Sequence, residues 1–189
     1  TGTVPFLNGL TLHAGDVVGS VNEDILRRNQ IRETIKTHLE RERQLFSRGI
    51  KVLSLFFIDH VDSYRIYDKD TVEKGKFAQM FEEEYGRVLQ EFMPTFTDAA
   101  YTRFLSDPKN APDNIHDGYF SIDKKGKSVE SGKKEGDNEE RGFDLIMKDK
   151  ERLLSRECPV RFIFSHSALK EGWDNPNVFQ ICTLKDTSN

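Results

Sequence analysis

The feature that most constrains the fold of this chain is an apolar run at residues 51–58. The run (KVLSLFFI) follows Gly49 and has no regular alternation of polar and apolar residues. Such a strand is typical of the centre of a parallel sheet, where both faces are buried. Two further apolar runs, residues 160–164 and 178–182, are also predicted to be strands. Helical segments lie between these runs, which predicts an α/β fold with a mostly parallel sheet.

The clearest predicted helices lie before and after the first strand. Residues 74–92 carry apolar side chains at helical spacing and end before Pro94, which stops a helix. Residues 20–23 have the form of a capping box, which predicts a helix from there to about Ser47. The apolar stripe predicted for that helix consists of Ile25, Ile31, Ile35, Leu39 and Leu45.

Three shorter segments complete the predicted secondary structure. Residues 3–13 are predicted to form an edge hairpin that turns on Asn8-Gly9, a pair that favours two-residue turns. Residues 106–118 are rich in loop formers, and residues 123–142 are dense in charge and glycine, which favours an exposed hairpin tip or linker. A last helix is predicted over residues 143–155.

The charge balance limits where nucleic acid could bind. The formal net charge is -4, so a DNA contact would need a local basic patch. The predicted helix after residue 20 is one candidate, and its cations are Arg27, Arg28, Arg32, Lys36, Arg41 and Arg43. Either this face contacts phosphates, or it is a solvated face balanced by the glutamates of the same helix. Glu82, Glu83 and Glu84 on the next helix are predicted to form a solvated face.

The segment between the last two strands holds more functional groups than a connection needs. Gly172 would let the backbone approach a ligand closely, and the Asp174 carboxylate could accept a hydrogen bond from a ribose hydroxyl. Ser165, His166 and Ser167 could bind a phosphate backbone without reading bases. The alternative is an ordinary crossover in which Ser167 caps a helix and Trp173 packs in the core.

The end of the first strand offers a second candidate. Asp59, His60 and Asp62 follow the apolar run at its carboxyl end, where ligands of open α/β sheets bind. The alternative is that these residues cap the next helix. For the thiols of Cys158 and Cys182 we predict burial in a reducing cytosol.

Several segments resemble one family. Residues 170–178 (KEGWDNPNV) resemble motif V of superfamily-two helicases and translocases. The longer string 161–184 is similar to the restriction (Res) subunit of type III restriction-modification enzymes. Residues 28–35 and 49–59 resemble the family's helix before motif IV and its motif IV strand, and residues 118–127 resemble the insertion between the two motifs. The resemblance covers nearly the whole chain.

The resemblance implies a second RecA-like helicase domain of the P-loop NTPase type. It would span residues 21–189 and be truncated at its C-terminus, with a β-hairpin extension over residues 1–20 and an insertion at about 70–142. Gly172 and Asp174 would face a nucleotide bound between two motor domains. Ser165, His166 and Ser167 would lie on the DNA side, and no catalytic or metal-binding residue is expected in this chain.

The resemblance also implies a function. The chain would be part of an ATP-dependent type III restriction endonuclease subunit, which couples ATP hydrolysis to translocation or switching along DNA before double-strand cleavage. Its partners would be double-stranded DNA, the methyltransferase (Mod) subunit, and the first RecA-like and nuclease domains of the same chain. The expected location is the cytoplasm of a bacterium or archaeon.

The chain is expected to be an inactive piece of a longer protein. It begins with Thr1 rather than methionine, and its sequence lacks Walker A and Walker B patterns, the Gln-x-x-Gly-Arg pattern of motif VI and a nuclease motif. Phosphoryl transfer needs a phosphate cradle, metal ligands and an arginine together, so ATP and Mg²⁺ would act only in the full-length protein. The alternatives are a motor domain of a repair or remodelling translocase, or a non-catalytic DNA-binding module that uses the basic helix at 27–43.

Overall fold

The computed structural model describes residues 3–5, 11–13, 23–68, 71–122, 128–129, 150–165 and 177–184. The strands are β1 (Thr3–Pro5), β2 (Thr11–His13), β3 (Leu53–Phe57), β4 (Arg65–Asp68), β5 (Thr71–Lys74), β6 (His116–Tyr119), β7 (Ser121–Ile122), β8 (Ser128–Val129), β9 (Phe162–Ser165) and β10 (Val178–Thr183). The α-helices are α1 (Glu23–Phe46), α2 (Lys76–Phe92), α3 (Ala99–Ser106) and α4 (Lys150–Leu154). Single 3₁₀ turns occupy Val61–Ser63, Met93–Thr95 and Pro108–Asn110.

The centre of the fold is a four-stranded sheet with the order β10, β3, β9, β6. Its three strand pairs are all parallel, and Leu55 of β3 lies opposite Ile163 on one side and Ile181 on the other. The three apolar runs of the sequence form β3, β9 and β10. The predicted α/β class with a parallel sheet is therefore confirmed.

Helices cover both faces of this sheet. On one face, Phe56, Phe162 and Phe164 pack against α1, α2 and α3 in the larger core cluster. On the other face, Leu53, Leu55 and Ile163 pack with Leu153 of α4 and with Cys158 and Val160. Because β3 and β9 are buried on both faces, neither strand can show the alternation of polar and apolar residues typical of half-exposed strands.

The two long helices confirm the sequence prediction. In α1, Ile31, Ile35 and Leu39 are completely buried, as the predicted stripe requires. Ile25, assigned to the same stripe, is 58% exposed, so that part of the prediction was wrong. Lys150–Leu154 is the described part of the predicted last helix. No helix in the described parts is long and apolar enough to cross a membrane.

The predicted N-terminal hairpin is confirmed, but its register differs from the prediction. β1 and β2 are antiparallel, and Pro5 pairs with Thr11. This pairing leaves five residues between the strands, whereas a turn on Asn8-Gly9 alone would leave two. The intervening residues lie outside those that the structure describes.

β6 was not predicted from the sequence. Its residues are His-Asp-Gly-Tyr, and the first three fall in the segment 106–118 that was interpreted as loop-rich. The strand has only four residues and a glycine in its interior, so no apolar pattern marks it. It lies at the edge of the central sheet and within the range predicted as an insertion.

Gly118 in β6 permits the close packing of two aromatic rings, and its replacement gives a testable prediction. A Cβ at this position would lie 2.5 Å from Tyr64 Cε1 and 2.3 Å from Phe120 Cε2, and both rings are buried. We expect Gly118→Ala to lower the free energy of unfolding by about 1–3 kcal/mol, measured by urea denaturation. Gly86→Ala in α2 is the matched control, because no atom lies within 4 Å of its added Cβ. Equal stability of the Gly118→Ala variant and the unsubstituted chain would contradict the prediction.

Candidate functional site

The candidate loop begins at Ser165, which ends an inner strand of the central sheet at the edge formed by the carboxyl ends of the strands. β9 lies between β3 and β6, and its last residue, Ser165, is level with Phe57 and Tyr119. The Ser165 carbonyl accepts a hydrogen bond from the Ile58 amide at 3.0 Å, which ties the end of β9 to the end of β3. β9 therefore ends at the edge where open α/β sheets bind ligands.

Of the five site residues predicted between the last two strands, only one lies within the described part of the chain. Ser165 is 3% exposed and ends a buried strand. His166, Ser167, Gly172 and Asp174 lie outside the described residues, so the roles predicted for them remain predictions.

Asp59 and His60 lie next to this edge. They follow Ile58, whose amide bonds to Ser165, so the structure brings them close to the start of the candidate loop. His60 occupies the N-cap position of the Val61–Ser63 turn, but its side chain makes no capping hydrogen bond. The capping interpretation therefore gains no support from His60.

A buried ion pair joins the start of β9 to the helical layer. The Arg161 side chain is 1% exposed, and its Nη1 lies 2.5 Å from Glu42 Oε2 in α1. Its Nη2 donates to the Tyr85 hydroxyl at 2.8 Å, and the Tyr101 hydroxyl donates to Glu42 Oε2 at 2.9 Å. Burial raises the pKa of Glu42, but the Arg161 charge and the contacts from His38 and Tyr101 together outweigh burial and lower that pKa to about 2.

His38 extends the same network to β3. Its Nδ1 lies 2.8 Å from the Ser54 hydroxyl, and its Nε2 lies 3.6 Å from Glu42 Oε1. Burial lowers the pKa of His38, which keeps the imidazole neutral near pH 7. The sequence interpretation missed this network, although one signal was present. His38 and Glu42 continue the buried stripe of α1, where polar residues need partners.

A second polar network lies between α2 and β6. The Tyr64 hydroxyl lies 2.8 Å from His116 Nδ1, and His116 Nε2 lies 3.0 Å from Glu82 Oε1. Because Glu82 can only accept, Nε2 carries the proton of a neutral imidazole and Nδ1 accepts from Tyr64. Burial lowers the pKa of His116 and raises that of Tyr64, in agreement with these neutral forms. The network ends at Lys74, whose Nζ lies 2.7 Å from Glu82 Oε1.

This second network borders an open cleft of about 370 Å³. Tyr64, His116 and Lys74 line it, together with an ion pair between Arg65 Nη2 and Asp117 Oδ1 at 3.0 Å. The cleft carries charges of both signs and lies beside the edge strand β6. Across the ranges that the structure describes, no three His, Cys, Asp or Glu residues are grouped so as to hold a metal ion.

The acidic run of α2 was predicted to be a solvated face, and for Glu84 this was wrong. Glu84 is completely buried, and its carboxylate contacts Arg32 Nε at 2.7 Å and Arg28 Nη1 at 3.3 Å. Arg28 also contacts Glu83 at 2.5 Å. These two cations of α1 are therefore paired with carboxylates of α2 and not, as predicted, with glutamates of their own helix, and the pairing argues against a phosphate-contacting face at these positions.

The buried histidines predict acid sensitivity. His38 and His116 have pKa values below 6.5, so the unfolded chain binds more protons than the folded chain as the pH falls below that value. Their contribution to stability is present above pH 6.5 and is lost as the pH falls through the folded pKa values. The lowered pKa of Glu42 has the same effect at lower pH: its contribution to stability is lost as the pH falls below the ordinary glutamate pKa of 4.5.

We therefore expect the free energy of unfolding to fall between about pH 7 and pH 5, by about 1.4 kcal/mol per pH unit for each histidine at most. Urea denaturation across this range measures the slope. The double variant His38→Gln, His116→Gln should show a flatter profile. A profile that is flat for the unsubstituted chain would contradict the prediction.

Comparison with known proteins supports the resemblance found in the sequence. No family model matches the chain. The Res subunits of the type III restriction-modification enzymes EcoP15I from Escherichia coli and EcoPI from Escherichia phage P1 are 37% and 36% identical to it, each over 99% of this chain. The StyLTI Res subunit from Salmonella typhimurium is 34% identical over 96% of the chain. The chain spans only 18–19% of the length of these relatives.

Proposed function

We propose, on the premise that nearly the whole chain is similar to type III Res subunits, that it is part of an ATP-dependent restriction endonuclease subunit. Within that subunit, residues 21–189 would belong to the second RecA-like motor domain. The observation that supports this most directly is the match of the chain to three Res subunits over 96–99% of its length. The parallel sheet, whose central strand β9 leads into the motif V-like segment, is consistent with such a domain.

In this proposal the segment after β9 couples nucleotide to DNA. Gly172 and Asp174 face the nucleotide, where the carboxylate accepts hydrogen bonds from a ribose or from an arginine. ATP with Mg²⁺ would supply the free energy for movement along DNA. We assign the phosphate and Mg²⁺ ligands to the first RecA-like domain, because this sequence carries neither Walker pattern.

The DNA side of the segment begins at the carboxyl edge of the sheet. Ser165 is buried at the end of β9, so we assign direct phosphate contact to His166 and Ser167, which follow it. Backbone amides and hydroxyl groups position a protein on the phosphate backbone without reading sequence. Sequence recognition would then come from the methyltransferase (Mod) subunit.

The remaining partners follow from the same proposal. The longer protein would act on double-stranded DNA in the cytoplasm of a bacterium or archaeon, with its first motor domain and a nuclease domain in the same polypeptide. The chain alone would hydrolyse no ATP and cut no DNA.

The test uses a longer protein that contains this chain, purified with its methyltransferase partner. We expect the longer protein with its methyltransferase partner to hydrolyse ATP and to cleave both strands of unmethylated DNA. We expect neither activity from the 189-residue chain alone. DNA-stimulated ATP hydrolysis without cleavage would instead support a repair or remodelling translocase. DNA binding without any ATP hydrolysis would support a non-catalytic binding module. The pairing of Arg28 and Arg32 with Glu84 speaks against this last alternative.

A further inference from the structure

The start of β9 departs from regular strand geometry. The amides of Arg161 and Phe162 both donate to the Ile115 carbonyl, at 2.8 and 3.0 Å, and the Arg161 carbonyl accepts from the Ser54 amide at 2.9 Å. Two successive amides on one carbonyl interrupt the alternation of side chains. As a result, the side chains of Arg161 and Phe162 both reach the layer formed by α1 and α2.

The apolar sequence of β9 does not by itself fix the register of the strand, that is, which of its residues lie opposite which residues of β3 and β6. β9 is buried on both faces, and a shift by two residues returns each side chain to the same face of the sheet. Such a shift toward the carboxyl edge would place Val160 opposite Ser54, where Phe162 now lies. Val160 is apolar, so its side chain does not strongly oppose this shift.

Arg161 is the residue that opposes the shift. In the shifted strand it would occupy the position of Ile163, which packs in the apolar cluster with Leu55 and Leu153. A guanidinium in that cluster would lose its partner Glu42 and would be buried without a counter-charge. The observed register instead keeps Arg161 within 2.5 Å of Glu42.

Stability alone is a poor explanation for this buried pair. Within the described residues, Arg161 Nε and His38 Nε2 are buried without a hydrogen-bond partner. Buried ion pairs can often be replaced by well-packed apolar residues without loss of stability, and their best-attested use is to specify a register.

We propose that the ion pair between Arg161 and Glu42 sets the register of β9, and so fixes where Ser165 lies at the carboxyl edge of the sheet. Both are positioning residues. The register itself follows from the contacts of this chain, and only its consequence for coupling ATP to DNA rests on the proposed function. An incorrect register would move the end of β9 by about 7 Å along the sheet, since each strand residue rises about 3.3 Å.

The test is the double variant Glu42→Leu, Arg161→Met of the 189-residue chain, examined by NMR. We expect it to fold and to melt close to the unsubstituted chain, but to show a second set of cross-peaks for residues 162–165. The second set should show cross-strand contacts from Ser54 to Val160 in place of Phe162. We also expect exchange protection of the Ile58 amide, which bonds to Ser165, to fall by about tenfold.

Two further variants make the result decisive. Arg161→Lys retains the charge and should show one set of cross-peaks, and Arg87→Met removes an exposed arginine of α2 and should also show one set. A folded double variant with one set of cross-peaks and unchanged protection would overturn the proposal. A double variant that does not fold would overturn it too, because the pair would then be needed for stability. No ATP or DNA is involved, so either failure leaves the proposed function standing.

Discussion

Arg161→Met, as a single substitution, is expected to lower the free energy of unfolding by about 3–5 kcal/mol. The substitution removes the cation whose Nη1 contacts Glu42 Oε2 and leaves that carboxylate in a site where it is 3% exposed. It also removes the donor to the Tyr85 hydroxyl. A buried carboxylate without its counter-charge must either take up a proton or expose itself to water, and both responses destabilise the folded chain. Urea denaturation near pH 7 measures the loss.

Arg87→Met is the control for the loss of an arginine. Arg87 Nη1 also contacts a buried carboxylate, that of Glu84 at 3.2 Å, but the Arg87 side chain is 58% exposed. Glu84 keeps Arg28 and Arg32, so we expect a loss of at most about 1 kcal/mol. If Arg161→Met and Arg87→Met lowered the free energy of unfolding by similar amounts, burial of the Arg161–Glu42 pair would not explain the loss.

Asp174→Ala is expected to reduce ATP-dependent DNA cleavage by at least about a hundredfold in the longer protein, while DNA binding remains measurable. In the proposed function this carboxylate faces the nucleotide, so its loss would disturb the coupling of ATP to movement. Phosphate contacts from the rest of the motor would still hold DNA. Steady-state ATP hydrolysis, cleavage of unmethylated DNA and DNA binding by fluorescence anisotropy separate these effects.

Asp113→Ala provides a matched control, because Asp113 is an exposed aspartate on the turn before β6, away from the end of β9. We expect this variant to keep its ATP hydrolysis and cleavage. Ordinary ATP hydrolysis and cleavage in the Asp174→Ala variant would refute the assignment of Asp174 to the nucleotide side.

The apolar strands β3, β9 and β10 and the long helices α1 and α2 were predictable because local patterns dominate them. The run that forms β3 is buried on both faces, and the run that forms α2 repeats at helical spacing, so each pattern allows one structure. β6 escaped prediction because its four residues gain their place from pairing with β9 and not from their own sequence. Ile25 was misplaced because an apolar residue in the first turn of a helix need not face the core.

The candidate site was predictable only as a location. Sequence patterns indicated that the segment after residue 164 would leave a strand end, and Ser165 does lie at the carboxyl edge. The position of His38 and Glu42 on the α1 stripe indicated that they need buried partners, but the partner was not predictable, because Glu42 and Arg161 are 119 residues apart and nothing local indicates that they meet. Glu84 shows the same limit, since its burial depends on arginines contributed by another helix.

The order of the strands in the sheet also determines when the sheet can form. β3 lies between β9 and β10, so the segments on either side of it are made more than 100 residues after it. At roughly 5–20 residues per second, synthesis leaves the apolar β3 without its neighbours for about ten seconds. Long-range parallel pairing is also intrinsically slow, since loop closure precedes the gain from contacts. The helices α1 and α2 are close to β3 in sequence and are made early. They pack against each other and can cover Phe56 while the ribosome completes the sheet.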